Sequence, residues 1–198
     1  DLHSSMSEPI ARFVLPGFDS FHGISPLQSV DGVAVFGGKS LLVVSMTEEG
    51  FKTFASYHQL DDMILDFAVP PQQSVKRLAD AEKFECMIGY ANNFVDIAVL
   101  HRNGGYGRLN RIYCPELSAL FNMKFFPGGS VIASGTVFGK IIVWRMDAVS
   151  GKSAILCSVH EHEGVIFRIK LSASGDRMIT VSDDRTVRMW SIGYNEST

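Results

Sequence analysis

Apolar residues recur at every second position through much of this chain, in short runs closed by Gly, Asp and Asn. Period two predicts strands, because successive side chains of an extended backbone point to opposite faces. The pattern also repeats. Moved forward by 46 positions, "FNMKFFPGGSVIASGTVFGKIIVW" (Phe121 to Trp144) falls without a gap on "FRIKLSASGDRMITVSDDRTVRMW" (Phe167 to Trp190). Phe121 meets Phe167, Lys124 meets Lys170, Gly129 meets Gly175 and Trp144 meets Trp190, while Met123/Ile169, Phe125/Leu171, Ile141/Val187 and Val143/Met189 fill alternating places between them.

Moved back by 46, the same frame lays "GYANNFVDIA" on "GTVFGKIIVW" and Gly89 on Gly135. The first strand of that earlier unit, "ILDFAV" (Ile64 to Val69), lies 56 residues before its counterpart "LFNMKF", so "PPQQSVKRLADAEK" supplies about ten extra residues. Its two prolines and lack of alternation predict a surface insertion over 70–83, with room for a short helix from Ser74. A weaker first copy runs from "FHGISPLQSV" through "GVAVFGGKSLLVVSM" to "FKTFASYHQL", with a tight turn at Gly37 and Gly38. "EPIARFVLPG" reads as the outer strand of a unit lying further upstream, and "SIGYNEST" follows a third strand. The expected units are 18–60, 61–115, 116–160 and 161–198.

Units of three or four short strands at this period match the blade of a WD-type β-propeller, and apolar residues at i, i+3, i+4 and i+7, which a helical solenoid would require, are absent. The fold class is therefore all-β: a WD-repeat β-propeller with about four blades visible, part of a larger multi-propeller protein. The resemblance assigns a purpose to "HEHEGVIFRIKLSASGDRMITVSDDRTVRMW", His160 to Trp190. His162, Ser182 or Thr180, Asp184 and Trp190 are placed to form a buried hydrogen-bonded chain across one blade. Buried polar groups are costly unless paired, so such a chain fixes the blade geometry. In the preceding unit Phe138 and Gly139 stand where Asp184 and Arg185 stand, and the network is expected to be missing there. His160, His162, Asp183 and Asp184 are residue types that ligate metals or move protons. Their spacing fits the blade network instead, and neither a metal site nor a cofactor site is expected.

Composition narrows the function. The 198 residues are 46% hydrophobic and 20% charged with a net charge of -3, the makeup of a globular protein without an overall pull toward polyanions. Cys86, Cys114 and Cys157 have no C-x-x-C spacing, which argues against zinc and against a disulfide framework; all three are expected to be packed in a reducing compartment. No apolar run reaches the length of a membrane span and the first thirty residues carry no secretory pattern, so a cytoplasmic location is expected. No nucleophile elbow, phosphate loop, zincin helix or dinucleotide fingerprint is present.

One basic feature stands out. "HRNGGYGRLNR" places Arg102, Arg108 and Arg111 beside His101, Tyr106 and Tyr113 in a segment with no acidic residue between Ile97 and Pro115. It reads as an outer loop, and interleaved cations and aromatics suit RNA phosphates and unstacked bases, so Arg102, Arg108, Arg111 and Tyr106 are candidate RNA or partner contacts. Arg168, Lys170, Arg185 and Arg188 form a second cationic set among several acids and read as ordinary blade surface. Phe121, Phe125, Phe126, Trp144, Phe167 and Trp190 are expected to fill the core between blades.

A narrower resemblance rests on "ASGTVFGKIIVW" (Ala133 to Trp144) followed by "HEGVIFRIKLSASGDRMITVSDDRTVRMW", with "MILDFAV" and "MIGYANNFVDIAV" before them. These segments resemble the N-terminal propeller region of the WD-repeat family that partners the tRNA 2'-O-ribose methyltransferase acting on the anticodon wobble nucleotide. The resemblance implies a longer, non-catalytic scaffold subunit that binds the methyltransferase and helps present tRNA, while the methyltransferase carries the S-adenosylmethionine site. It carries no contact residue onto a numbered position. Propellers host many unrelated functions. A general protein-interaction propeller, such as a ubiquitin-ligase substrate receptor or trafficking adaptor, is the alternative, and a propeller enzyme is a third reading.

Overall fold

The computed structural model describes residues 20–27, 31–47, 50–70 and 78–193. Within them the chain forms four antiparallel sheets in a four-blade propeller arrangement, with strands that follow one another in space as in sequence. Blade 1 comprises β1 (Gly23–Pro26), β2 (Gly32–Gly37), β3 (Ser40–Thr47) and β4 (Gly50–Tyr57); blade 2 comprises β5 (Ile64–Ala68), β6 (Lys83–Tyr90), β7 (Phe94–His101) and β8 (Tyr106–Tyr113). Blade 3 comprises β9 (Leu120–Phe125), β10 (Val131–Thr136), β11 (Lys140–Met146) and β12 (Ser153–His160). Blade 4 has β13 (Ile166–Leu171), β14 (Arg177–Ser182) and β15 (Val187–Ser191). The upstream segment "EPIARFVLPG" lies outside the described residues.

The alternation along each strand sorts side chains between two neighbouring blades. Ile132, Ile142 and Trp144 of blade 3 pack with Leu65, Met87, Val95, Ile97 and Ile112 of blade 2, whereas Ala133 and Ile141, next to them in sequence, pack with Ile166, Ile169 and Met178 of blade 4. Both faces of a middle blade are therefore dry, and its inner strands read as near-continuous apolar runs. Burial of one such side chain is worth roughly 1.5–3 kcal/mol, so the seams between blades carry most of the hydrophobic stabilisation.

The repeated glycines are explained by the same seams. A Cβ at Gly89 would lie 2.3 Å from Sδ of Met123, and one at Gly135 would lie 2.8 Å from Cγ2 of Ile166. Each lets the first strand of the following blade approach closely, which is a reason for glycine inside a strand.

The segment between β5 and β6 is not wholly a surface insertion. Residues 71–77 lie outside the described part, but a short 3-10 turn, Leu78–Asp80, follows them, and Leu78 is fully buried in the core shared by blades 1 and 2. The two prolines marked a break in the sheet but not the apolar anchor that returns the chain to it.

The aromatic set divides. Trp144 and Phe126 are buried, Phe125 and Trp190 are partly buried, and Phe121 and Phe167 are 48% and 41% exposed. Cys86 and Cys114 are buried, whereas Cys157 on β12 is exposed, and all three are free thiols. The outermost strand lies against solvent, so its alternation does not imply packing.

Candidate functional site

The blade 4 network starts at the tryptophan. Trp190 Nε1 donates to Thr180 Oγ1 at 2.9 Å, Thr180 Oγ1 lies 2.8 Å from His162 Nε2, and His162 Nδ1 lies 2.8 Å from Asp184 Oδ2. With the imidazole proton on Nδ1, each link has one donor and one acceptor, a tautomer assigned from the network. The structure brings His162, Asp184 and Trp190 into one chain, and of Ser182 and Thr180 it is Thr180 that joins them. Ser182 Oγ instead accepts the Asp184 amide at 3.2 Å, within the turn. Ser182 points to the same face as Thr180 but two residues closer to the turn, too far along β14 for Trp190, which is the cross-strand partner of Met178.

Thr186, not singled out from sequence, completes the turn. Its hydroxyl donates to Asp184 Oδ1 at 2.7 Å and lies 3.1 Å from His162 Nδ1, and its amide donates to the same carboxylate oxygen at 2.8 Å. Burial raises the Asp184 pKa, but the hydrogen bonds from Thr186, His162 and the Glu163 amide outweigh it and hold the carboxyl well below the usual range. A carboxylate with its lone pairs so occupied suits a clamp better than a proton acceptor. Among the described residues no group of three or more His, Cys, Asp and Glu side chains is arranged to hold a metal ion.

Blade 3 is not without a network. Trp144 Nε1 donates to Ser134 Oγ at 3.0 Å, the hydroxyl donates to Asn93 Oδ1 at 2.8 Å, and Asn93 Nδ2 donates to the Glu116 carbonyl at 2.9 Å. Asn93 sits in the β6–β7 turn of blade 2 with φ of 60°, a backbone state that asparagine tolerates better than most residues. The expectation of an absent network failed because the third partner comes from another blade. Glu116, at the position of His162 in the 46-residue frame, instead pairs with Lys140 at 2.5 Å.

The arginine-rich segment is a turn followed by strand β8, not an outer loop. Its acid-free sequence is misleading because cross-strand neighbours supply the counter-charges. Arg111 stands opposite Asp96 on β7 and donates to both its oxygens at 2.7 and 2.8 Å, and it also reaches Asp61 and lies over the Phe94 ring at 4.3 Å. Arg108 binds the same Asp61 at 2.7 Å. The Asp96 hydrogen bonds, against the opposing effect of burial, hold the Arg111 pKa above its ordinary value, and Arg111 in turn lowers that of Asp61. Tyr106 donates to Asp96 at 3.0 Å, and burial followed by the Asp96 charge raises its phenol pKa. Arg102 donates to the carbonyls of Leu78, which opens the 3-10 turn, and Ala81, which follows it, and lies 5.0 Å from the Phe54 ring of blade 1. These four residues hold blade 2 together and to its neighbour.

A different cationic surface lies where the first strands converge. β1, β5, β9 and β13 line a half-open cavity of about 1020 Å³ that includes Phe121, Phe167, Lys124, Arg168 and Lys170. Among the described residues, none that lines it is acidic. Sequence reading assigned the two phenylalanines to the core and two of the cations to ordinary surface. Alternation alone does not reveal which face of an innermost strand points to the axis.

Four sheets of this kind define an all-β, β-propeller fold, and the tryptophan–hydroxyl–histidine–aspartate chain in one of them is of the kind expected for a WD-type blade. The comparisons agree with that class. The chain is similar to the tRNA (34-2'-O)-methyltransferase regulator WDR6 of Drosophila melanogaster, 31% identical over 91 residues, 40% of this chain and 9% of that protein. It is also similar to protein hir1 of Schizosaccharomyces pombe, 28% identical over 82 residues (36% of this chain, 9% of that protein). A third relative is the U3 small nucleolar RNA-associated protein 12 of Saccharomyces cerevisiae, 29% identical over 83 residues (41% of this chain, 8% of that protein). The chain thus spans less than a tenth of the length of these relatives. No family model matches it. Among the described residues no helix is long and apolar enough to cross a membrane.

Proposed function

We propose that the protein is a non-catalytic WD-repeat scaffold that supports 2'-O-ribose methylation of the tRNA anticodon wobble nucleotide by binding a partner methyltransferase and presenting tRNA, in the cytoplasm. The observation that carries this reading is the likeness to a tRNA (34-2'-O)-methyltransferase regulator, taken with a blade architecture whose polar networks are committed to rigidity. A rigid platform contributes to such a reaction by positioning, holding the anticodon loop where the target ribose meets the partner's active site. Arg111 and Asp96 of blade 2 and His162 and Asp184 of blade 4 are tied up in structural contacts, which favours a platform over an active centre.

The test is the ribose methylation of nucleotide 34 in tRNA from cells lacking the protein, read by nucleoside mass spectrometry. Loss of that methyl group, restored by the intact protein but not by one with Trp144→Ala, is the expected result. Unchanged methylation would sink the proposal and leave a general protein-interaction propeller as the reading to pursue.

A further inference from the structure

The cavity at the propeller axis carries charge that no described residue neutralises, and the repeat itself exposes it. In blade 3, Lys124 donates to Asp66 of blade 2 at 2.6 Å, and the same carboxylate also accepts the Ser25 hydroxyl at 2.9 Å and the Phe125 amide at 3.0 Å. Lys124 is therefore fully engaged in locking three blades together. Its counterpart 46 residues later is Lys170, and the residue corresponding to Asp66 is Asn122. Asn122 carries no charge, and its Oδ1 accepts the Ile169 amide of blade 4 at 3.0 Å. The exchange of Asp for Asn keeps a backbone-amide bond between blades, made to Ile169 rather than to Leu171, the frame counterpart of Phe125, and removes the counter-ion. Lys170 is left exposed on the cavity, beside an exposed Arg168, and neither has an ion-pair partner among the described residues.

The aromatic groups beside them are also open. Phe121 and Phe167 meet edge to face with ring centroids 5.3 Å apart, yet both stay more than 40% exposed to the cavity. Such rings would ordinarily be covered in a core. Here they form an apolar step next to two cations that no described residue pairs, and the one described acid nearby, Asp66 in the adjoining recess, is taken by Lys124. Aromatic faces for bases and a cationic track for phosphates together make a platform for unpaired nucleotides, which does not require hydrogen-bond readout of sequence. An acidic peptide would satisfy the cations but make little use of the two rings.

We propose that Phe121, Phe167, Arg168 and Lys170 form a binding site for unpaired polynucleotide, with bases against the two rings and phosphates on the two cations. The inference rests on the RNA-presenting reading above for its biological setting, and it moves the RNA contact away from Arg102, Arg108 and Arg111, which are committed to carboxylates and carbonyls. All four groups are exposed and none belongs to a seam hydrogen bond, so replacing the two cations leaves the fold intact.

The experiment is fluorescence anisotropy of the full chain with a labelled oligouridylate of about ten nucleotides across a salt series. Arg168→Ala/Lys170→Ala should weaken binding at least about tenfold and lower the salt slope by about 1.4, because each single-strand phosphate contact contributes roughly 0.7 to it. Arg145→Ala/Lys152→Ala, two exposed cations on β11 and just before β12, should leave affinity and slope unchanged. Phe167→Ala should reduce affinity without changing the slope, and a denaturation curve for each variant guards against misfolding. No binding by the wild-type chain, or equal loss in both cation pairs, would overturn the site. Equal binding of an oligoglutamate with the same dependence on Phe167 would overturn its assignment to nucleotides. Wobble methylation in cells is read separately, so a failed site with intact methylation leaves the scaffold reading standing, and a functional site without any methylation effect leaves the site standing alone.

Discussion

Blades 3 and 4 share one repeat frame and one tryptophan–hydroxyl pair, yet they are held in different ways. In blade 4 the hydroxyl is anchored by His162 and Asp184 of the same blade, whereas in blade 3 Asn93 reaches across from blade 2. The middle strands of blade 3, β10 and β11, are covered on both faces and Trp144 is fully enclosed; β14 and β15 of blade 4 alternate between covered and open positions, with Val187 and Met189 exposed. The difference shows that the repeat conserves a geometric need, a partner for the buried tryptophan N–H and hydroxyl, more strictly than the residues that meet it. Blade 3 borrows that partner from the blade before it, while blade 4 carries its own.

The largest expected effect separates the tryptophans. Trp144→Ala empties a fully enclosed site and should cost about 3–5 kcal/mol. Trp190→Ala, at a partly exposed site, should cost less in the same denaturant titrations; equal losses would mean that the enclosure of blade 3 does not matter. Next comes the glycine seam. Gly135→Val drives side-chain atoms toward Ile166 and should cost about 1–3 kcal/mol by overpacking. The corresponding position in blade 4 is already Val181, so no clash is possible there, and Val181→Gly should cost about 1–2 kcal/mol, from strand entropy and the loss of a partly buried side chain.

The imported partner can be tested by a double-mutant cycle. Asn93→Ala and Ser134→Ala should couple by about 0.5–3 kcal/mol because they share a hydrogen bond, and Asn93→Ala with Thr180→Ala should be additive within about 0.5 kcal/mol. The two networks should also differ in their response to acid. The folded-state pKa of Asp184 lies below its unfolded value, so its contribution is fully present above the ordinary carboxylate range and is lost as pH falls through the folded value. The stability gap between wild type and Asp184→Asn should therefore narrow in acid. For Asn93→Ala, whose network of Asn, Ser and Trp does not titrate, the gap should stay flat. The smallest effect is expected for Glu116→Gln, which breaks a half-exposed pair with Lys140 and should cost about 0.2–1 kcal/mol, less as salt is added.

The strands and turns of blades 3 and 4 were legible because each is a local alternation, and the 46-residue frame fixed their correspondence without reference to distance. His162, Asp184 and Trp190 were legible through the likeness to a WD-type blade, since all lie within the three consecutive strands of one blade and the turns beside them. Asn93 was not, since its role depends on how blade 2 leans on blade 3. The arginines of β8 misled because an acid-free stretch in sequence says nothing about Asp96 across the hairpin or Asp61 some fifty residues earlier. Phe121 and Phe167 misled in the opposite sense. Apolar residues on an innermost strand alternate between a blade seam and the axis cavity, and only the packed structure tells the two faces apart.

The proposed scaffold role is tested most directly by affinity purification of the full-length protein from its own cells, with mass spectrometry of bound proteins and sequencing of bound RNA. Recovery of a tRNA ribose methyltransferase together with tRNA is the predicted result. Recovery of ubiquitin-ligase or trafficking subunits without RNA would contradict it.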